Sequence, residues 1–257
     1  MTAPAVPPIQ ELLAPPDWRT AEFISDLHLQ PSDASTVDAW RGYMQQTRAD
    51  AVFILGDLFE AWVGDDAAAE PGFDADCTAV IRATARRLPV FVMHGNRDFL
   101  LGAGLMQATG ARLLQDPTVL TFLGQRWLLT HGDSLCLDDA AYLAFRSQVR
   151  AASWQHDFLA RPLPERRAIA KGLRNQSEER KSSGPPSADV DPGAASAWLA
   201  AAQASVMIHG HTHRPADHAL AEGRQRIVLS DWDAAAPLPR LQVLRIAVGG
   251  AVRVDLR

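Results

Sequence analysis

Five short blocks of Asp, His and Asn, spread between residues 26 and 213, carry side chains that bind divalent metals. They are Asp26-Leu27-His28, Gly56-Asp57, Gly95-Asn96-Arg97-Asp98, His131-Gly132-Asp133 and Gly210-His211-Thr212-His213. Carboxylate and amide oxygens together with imidazole nitrogens suit divalent Mn, Fe, Zn, Co or Ni. A lone Asp after a strand is more often a helix cap than a ligand. The prediction of a metal site therefore depends on five such blocks occurring in one chain.

Each block comes directly after an apolar run that is typical of a buried strand. The runs occupy residues 22–24, 52–55, 90–93, 127–129 and 206–208. Loops beyond strand ends are where α/β folds place their chemistry. We therefore expect five strands to deliver the Asp, His and Asn side chains to one edge of a sheet.

Helical and hairpin patterns fill the chain around these runs. The predicted elements are helices at 33–47, 74–88 and 194–204, a strand-turn-strand at 112–127 and a C-terminal hairpin turning at Gly249-Gly250. Residues 1–20 are Pro-rich and lack the apolar core of a signal peptide, so they predict a poorly ordered leader.

The alternation of strands and helices breaks between residues 137 and 192. Asp138-Asp139 is a good helix start, residues 165–180 predict a second helix, and the Ser-Gly-Pro run at 182–186 ends it. We interpret this stretch as a helical cap inserted above the edge of the sheet.

Charge is unevenly distributed along the 257 residues. The formal net charge is −5, which argues against a general nucleic-acid binder. Residues 146–181 nevertheless hold nine Lys or Arg against four Asp or Glu. Such a segment is either a solvated helical face or a positive surface that meets a polyanionic substrate or an anionic membrane.

Two further compositional features bear on location. The two cysteines, Cys77 and Cys136, suggest no disulfide framework and predict reduced thiols. No apolar run approaches the roughly 18 residues that span a bilayer, so we expect a chain that does not cross a membrane.

The five blocks and their order resemble those of the calcineurin-like metallophosphoesterases. The third block departs from the common pattern, because Arg97 stands where most of that superfamily has His. The sequence around the blocks is similar to that of the UDP-2,3-diacylglucosamine hydrolases of bacterial lipid A synthesis. Stretches that carry this narrower resemblance are residues 56–66, 95–100, 131–136 and 209–215. It implies an α/β fold of two mixed β-sheets flanked by helices, with a metallophosphoesterase domain at 21–257 that contains the helical cap.

The superfamily pattern also implies a set of metal ligands. One divalent ion would be held by Asp26, His28, Asp57 and His213, and a second by Asp57, Asn96, His131 and His211. Asp57 would bridge the two ions, and manganese is the metal expected from the resemblance. We expect Asp98 and Asp133 to orient ligands, and His94, His209, His156 and His218 to bind no metal.

The same resemblance implies a reaction. The substrate would be UDP-2,3-diacylglucosamine, whose pyrophosphate is cleaved by two-metal attack on the α-phosphorus to give UMP and 2,3-diacylglucosamine 1-phosphate (lipid X). Asn96, Arg97 and His211 would take part in catalysis and contact the phosphates. Arginine stays protonated, so Arg97 predicts a phosphate clamp rather than a proton donor, with a structural salt bridge as the alternative.

Resemblance in the cap implies further substrate contacts. Asp139, Tyr142 and Ser177 match family positions, whereas Gly184 stands where a Lys is expected. Lys181 or Arg180 would then supply the missing basic contact. Trp62, Phe99, Leu100, Phe145, Trp154, Phe158 and Leu159 are candidates either for an acyl-chain pocket or for ordinary core packing.

These expectations together describe a monomeric enzyme of the cytoplasm, attached peripherally to the inner membrane, with no nucleic-acid partner. The alternative is a calcineurin-like phosphodiesterase or phosphatase acting on a soluble nucleotide or a phosphoprotein. A non-catalytic scaffold on the same fold is disfavoured by seven intact ligand positions.

Overall fold

Two mixed six-stranded sheets form the body of the molecule. The computed structural model describes residues 6–183 and 188–256, without the side chains of 177–183. The first sheet has the order β1-β6-β7-β8-β10-β9 and the second the order β12-β11-β2-β3-β4-β5. The strands are β1 (Gln10–Leu13), β2 (Thr20–Ile24), β3 (Ala51–Leu55), β4 (Val90–Met93), β5 (Arg112–Leu114), β6 (Thr118–Phe122), β7 (Gln125–Leu129), β8 (Val206–His209), β9 (Ala216–Ala219), β10 (Gln225–Val228), β11 (Gln242–Ala247) and β12 (Gly250–Asp255).

Seven α-helices accompany the sheets in the described residues. They are α1 (Ala34–Gln46), α2 (Phe73–Ala85), α3 (Ala103–Thr109), α4 (Ala140–Val149), α5 (Ala152–Leu159), α6 (Leu163–Ser183) and α7 (Pro192–Ala201). Trp40 of α1 and Ile81 of α2 pack on the outer face of the second sheet, while Trp198 of α7 packs on the outer face of the first. The described chain is thus layered as helices, sheet, sheet, helices, which confirms the predicted fold class.

The core between the sheets is built from residues that face inward along neighbouring strands. Phe23, Phe53 and Phe91 occupy the same register on β2, β3 and β4. Their rings stack with centroids 4.8 and 4.6 Å apart. All three are fully buried, and their stack holds the three parallel strands side by side.

Several local predictions are confirmed. The Asp33 side chain accepts a hydrogen bond from the Thr36 backbone N–H and caps α1, as the helix at 33–47 requires. The predicted turn of the β6–β7 hairpin lies at Leu123 and Gly124, both with positive φ. The C-terminal hairpin turns at Val248 and Gly249, one residue before the predicted pair, and Gly250, with φ of 103°, begins β12 opposite Ala247.

The prediction of a poorly ordered leader is wrong for the described part of residues 1–20. Residues 10–13 form β1, which pairs in parallel with β6. Trp18 is buried and makes edge contacts with Phe53, Phe91 and Phe122. Aromatic burial therefore outweighs the Pro-rich composition that suggested disorder, while residues 1–5 lie outside the described part.

Helices α4 to α6 fall within the stretch where we expect the cap, although α5 was not predicted as a separate helix. The segment contacts the loops that follow β3 and β4. Arg150, directly after α4, donates to the Gly95 carbonyl (2.8 Å), and Arg166 of α6 donates to the Val63 carbonyl and to Asp66. No helix among the described residues combines the length and apolarity that a membrane span requires.

Candidate metal centre

The five polar blocks lie just beyond strand ends on the same side of the two sheets. Strands β2, β3 and β4 lead to Asp26, Asp57 and Asn96, and strands β7 and β8 of the other sheet lead to His131 and His211. The candidate centre therefore draws its predicted ligands from both sheets, so the prediction that all five strands lead to the edge of one sheet is wrong.

The first predicted ligand group converges in the structure. The Nε2 atoms of His28 and His213 are 3.1 Å apart. His213 Nε2 lies 3.5 Å from Asp26 Oδ1, and His28 Nε2 lies 3.8 Å from Asp57 Oδ2. These spacings bring nitrogen and oxygen lone pairs towards a single point.

The second predicted group converges beside the first. Asn96 Oδ1 lies 3.1 Å from His131 Nε2 and 2.8 Å from His211 Nδ1. His131 Nε2 is also 3.8 Å from Asp57 Oδ1. Asp57 thus directs one carboxylate oxygen towards each group, which is the arrangement that a bridging ligand requires.

The backbone at the predicted ligands is unusual. Asp26, His28, Asp57, His211 and His213 all have φ between 48° and 68°. Non-glycine residues rarely adopt this left-handed region, and such strain concentrates at functional sites.

Glycines beside the ligands are required by close backbone approach. A Cβ on Gly95 would lie 2.1 Å from Asp57 Oδ1 and 2.2 Å from the Asp57 backbone nitrogen. A Cβ on Gly210 would lie 2.3 Å from Asp26 Oδ2. A larger residue at Gly95 would therefore require the Asp57 backbone to move, and one at Gly210 would require the Ser25 and Asp26 side chains to move.

Asp98 ties two ligand loops together, as expected for a residue that orients ligands. Its carboxylate is fully buried and accepts the backbone N–H groups of Gly95 and Leu58, each at 2.8 Å. Burial and the nearby charge of Asp57 raise the pKa of Asp98 to about 6. One side chain therefore fixes the spacing between the Asp57 and Asn96 loops.

Asp133 supports the other side of the centre. Its Oδ2 accepts hydrogen bonds from the Tyr142 hydroxyl (2.5 Å) and from Arg146 Nε (2.7 Å). Burial opposes ionisation, but Arg146 and His131 hold the pKa of the Asp133 carboxyl well below its usual range. The Tyr142 ring stacks on His211 with centroids 5.9 Å apart, so α4 reaches the predicted ligands.

The electrostatics of the centre fit a divalent cation. Burial of His131 opposes its protonation, yet the carboxylates of Asp57, Asp26 and Asp133 raise the pKa of this imidazole to about 9. A buried ring that favours its charged form indicates uncompensated negative potential at the ligand carboxylates. A bound cation supplies the missing positive charge and leaves the imidazole neutral as a ligand.

Arg97 lies next to Asn96 at the rim of the centre. Its backbone N–H donates to Asp57 Oδ1 (2.8 Å), and its guanidinium Nη1 lies 3.6 Å from Glu60 Oε1. The salt bridge considered from the sequence is therefore present, but it engages a partner at the site itself. Burial opposes ionisation of Glu60, whereas His28, Arg97 and Arg174 keep its pKa below the usual value.

The residues predicted to contact substrate from the cap lie in different surroundings. Tyr142 lies at the centre, as described above. Asp139 is exposed and its carboxylate accepts the Tyr142 backbone N–H, so it serves as the cap of α4. The side chains of Ser177 and Lys181 lie outside the described residues.

The predicted non-ligand histidines have other environments. His94 Nε2 lies 2.6 Å from the Leu101 carbonyl, and His209 Nδ1 lies 2.8 Å from the Gly210 carbonyl. His156 is exposed on α5, and His218 lies half-buried on β9.

Aromatic residues beside the centre form a continuous apolar cluster. Trp154 stacks on Phe158 at 4.9 Å and lies 6.1 Å from the Phe99 ring. Trp62 is buried against Phe59, and its indole N–H donates to Asp65. The cluster joins α5 to the loops after β3 and β4, so these rings pack the junction between helices α4 to α6 and the two sheets.

Comparisons with known proteins agree with this geometry. The calcineurin-like phosphoesterase family model matches residues 23–215. A UDP-2,3-diacylglucosamine hydrolase of Chromobacterium violaceum is 48% identical over 219 residues, which is 82% of this chain and 89% of that protein. Those of Bordetella pertussis (45%, covering 81% and 84%) and Stenotrophomonas maltophilia (41%, covering 90% and 96%) are similar. The chain therefore belongs to the calcineurin-like phosphoesterases, a metal-dependent class, and within them to the family of the UDP-2,3-diacylglucosamine hydrolases.

Proposed function

We propose that this protein hydrolyses the pyrophosphate of UDP-2,3-diacylglucosamine, releasing UMP and 2,3-diacylglucosamine 1-phosphate. The observation that carries the proposal is the convergence of the family's full set of predicted ligands from the two sheets, with Arg97 beside Asn96. Water adds to the α-phosphorus, and the bond to the lipid phosphate oxygen breaks.

Two divalent ions, Mn²⁺ by preference, would occupy the centre. Asp26, His28, Asp57 and His213 would hold one ion, while Asn96, His131 and His211 would share the other with Asp57. When bound, the ions supply Lewis acidity at the phosphate and lower the pKa of water. The Asp57 carboxylate, with one oxygen towards each group, offsets the repulsion between two neighbouring cations.

Arg97 would clamp the phosphates through its paired N–H donors and stabilise charge as the bond breaks. Because guanidinium does not release its proton, it cannot protonate a leaving alkoxide. A departing lipid phosphate needs little protonation, so this residue suits a pyrophosphate better than an alkyl ester. Asn96 and His211 would contact the same phosphate from the metal side.

The cap would hold the glucosamine and acyl chains. Tyr142, Asp139, Ser177 and Lys181 are the proposed polar contacts, and the apolar cluster around Phe99 and Trp154 supports a place for the chains.

We place the protein, as a monomer, at the cytoplasmic face of the inner membrane. On α5 and α6, Leu159 and Leu173 are exposed among basic residues. Each basic residue near an anionic surface contributes roughly 1 kcal/mol, and salt screens this attraction. Release from membranes by a high-salt wash supports peripheral attachment, and retention through both salt and mild detergent contradicts it.

The substrate assignment is tested with purified protein and Mn²⁺ on UDP-2,3-diacylglucosamine and on short soluble diesters and phosphopeptides. We expect hydrolysis of the UDP-lipid and its loss in Asp57→Ala. Equal or better rates on the soluble compounds would favour the alternative, a phosphodiesterase or phosphatase of another substrate.

The role of Arg97 is tested by a leaving-group series. Arg97→Ala should lower turnover by about 10²–10³-fold, the scale of one lost donor to the transition state. The wild type should depend more steeply on leaving-group pKa than Arg97→His, which restores a potential proton donor. Equal slopes would show that the proton comes from elsewhere.

A further inference from the structure

Glu60 lies beside the candidate metal centre, and the sequence alone did not indicate a role for it there. Its carboxylate is only 12% exposed and faces three side chains from distant parts of the chain. Oε2 lies 3.0 Å from His28 Nδ1, while Oε1 lies 3.1 Å from Arg174 Nε and 3.6 Å from Arg97 Nη1. One carboxylate thus contacts a predicted metal ligand, the predicted phosphate clamp and helix α6.

The contact with His28 concerns the ring nitrogen that does not face the centre. A neutral imidazole carries one proton, and the partner of one nitrogen decides which nitrogen is free to bind a metal. The negative charge of a carboxylate 3.0 Å from Nδ1 favours the proton on that nitrogen and leaves the Nε2 lone pair available. That Nε2 atom is the one that lies 3.1 Å from His213 Nε2 and 3.8 Å from Asp57 Oδ2.

The contacts through Oε1 concern two guanidinium groups that would otherwise repel each other. Arg97 comes from the loop after β4, and Arg174 comes from α6. A shared negative charge between them allows both to lie at the rim of a centre that will itself be cationic. Arg174 also donates from Nη1 to Gln30 (2.9 Å), so α6 meets the loop that follows β2 as well.

We propose that Glu60 is a positioning residue that fixes the metal-binding tautomer of His28 and, through Arg174, couples the position of α6 to occupancy of the metal centre. The catalytic consequence rests on the proposed function, whereas the effect on metal binding does not. Loss of the carboxylate should weaken one of the two ions more than the other, because His28 belongs to one ligand group only.

Asp66 provides a matched control on the same loop. Its carboxylate also pairs with an arginine of α6, Arg166, but it contacts none of the predicted metal ligands. Asp66→Asn therefore removes the charge of an ion pair with α6 and leaves the surroundings of His28 unchanged.

The first measurement is Mn²⁺ affinity without substrate, by calorimetric titration of the full-length metal-free protein. Removing a carboxylate that orients a ligating His typically weakens metal affinity by about 10–100-fold. We expect that loss for one ion in Glu60→Gln and wild-type affinities for both ions in Asp66→Asn. Equal affinities in Glu60→Gln and Asp66→Asn would overturn the role of Glu60 in orienting His28.

The second measurement is amide hydrogen exchange across α6 with and without Mn²⁺. Metal should slow exchange in α6 of the wild type and of Asp66→Asn, but not in Glu60→Gln or Arg174→Gln. An α6 whose exchange is indifferent to metal in the wild type would overturn the coupling, even if the affinity result holds. If the wild type does not hydrolyse the UDP-lipid, the proposed function is wrong, but the metal-affinity and hydrogen-exchange results still test the role of Glu60.

Discussion

Replacing Gly95 by alanine tests the geometry of the candidate metal centre most directly. A Cβ there would lie 2.1 Å from Asp57 Oδ1, whereas ordinary contacts begin near 3.4 Å. The Asp57 backbone nitrogen would lie only 2.2 Å away, so the Asp57 loop or the Asn96 loop must move by about 1 Å. The Gly95 N–H that donates to Asp98 would move with the loop, so the tie between the two ligand loops would be disturbed as well.

The expected size of the effect follows from this displacement. Inserting a methyl group into a filled site costs about 1–3 kcal/mol of unfolding free energy. A shift of about 1 Å in a catalytic group lowers turnover by roughly 10²-fold, and a displaced bridging ligand should weaken both metals. We therefore expect Gly95→Ala to fold, to bind less than two ions per chain and to lose most of its activity.

The assay combines metal content after dialysis, turnover on the UDP-lipid and urea unfolding of the metal-free protein. Gly42→Ala is the control, because a Cβ there meets only the Gln46 side chain at 3.9 Å on α1. That change should keep both metals and full activity and stabilise the helix by about 0.5–1 kcal/mol. Two ions per chain and near-normal turnover in Gly95→Ala would refute the close approach of Gly95 to Asp57.

Other predictions concern stability. Phe53→Ala should lower the unfolding free energy by about 3–5 kcal/mol in urea titrations, because it removes the middle ring of a buried stack. Arg166→Met should lower the urea midpoint by leaving the buried Val63 carbonyl and Asp66 without their donor, at a cost of about 1–3 kcal/mol. Asp189→Asn should destabilise the protein at pH 7. Its hydrogen bonds to Arg226 lower the carboxyl pKa to about 2, so the stabilisation is complete above the unfolded value of about 3.9 and is lost as the pH falls through 2. Urea midpoints of variant and wild type should therefore converge in acid, and a constant difference would show that the ion pair is not responsible.

The convergence of the polar blocks was predictable in part from sequence, because each predicted ligand follows a buried strand. Parallel pairing of β2, β3 and β4 brings Asp26, Asp57 and Asn96 to the same edge of that sheet, and this does not depend on the conformation of the loops. Strand ends are set by local apolar patterns, so the residues of the site could be found without knowledge of distant contacts. The docking of a second sheet that carries His131 and His211 could not be found in this way.

The sequence did not predict features that depend on contacts between distant parts of the chain. The residue that precedes helix α3 is Gly102, which has no side chain to cap it. Asp65, which is distant in sequence, accepts hydrogen bonds from the backbone N–H groups of Gly102 and Leu105 instead. Glu60 escaped attention for the same reason, because His28 and Arg174 reach it only in the folded chain.

The division of the predicted ligands between the two sheets has a consequence for folding. Asp26, Asp57 and Asn96 follow strands of one sheet, and His131 and His211 follow strands of the other. High-affinity metal capture thus requires the sheets to have docked first, which makes it a late event as the chain folds. Once captured, metal lowers the free energy of the docked state alone, by an amount that grows with the logarithm of its concentration. Chelation should therefore accelerate the separation of the sheets more than the fraying of either sheet by itself.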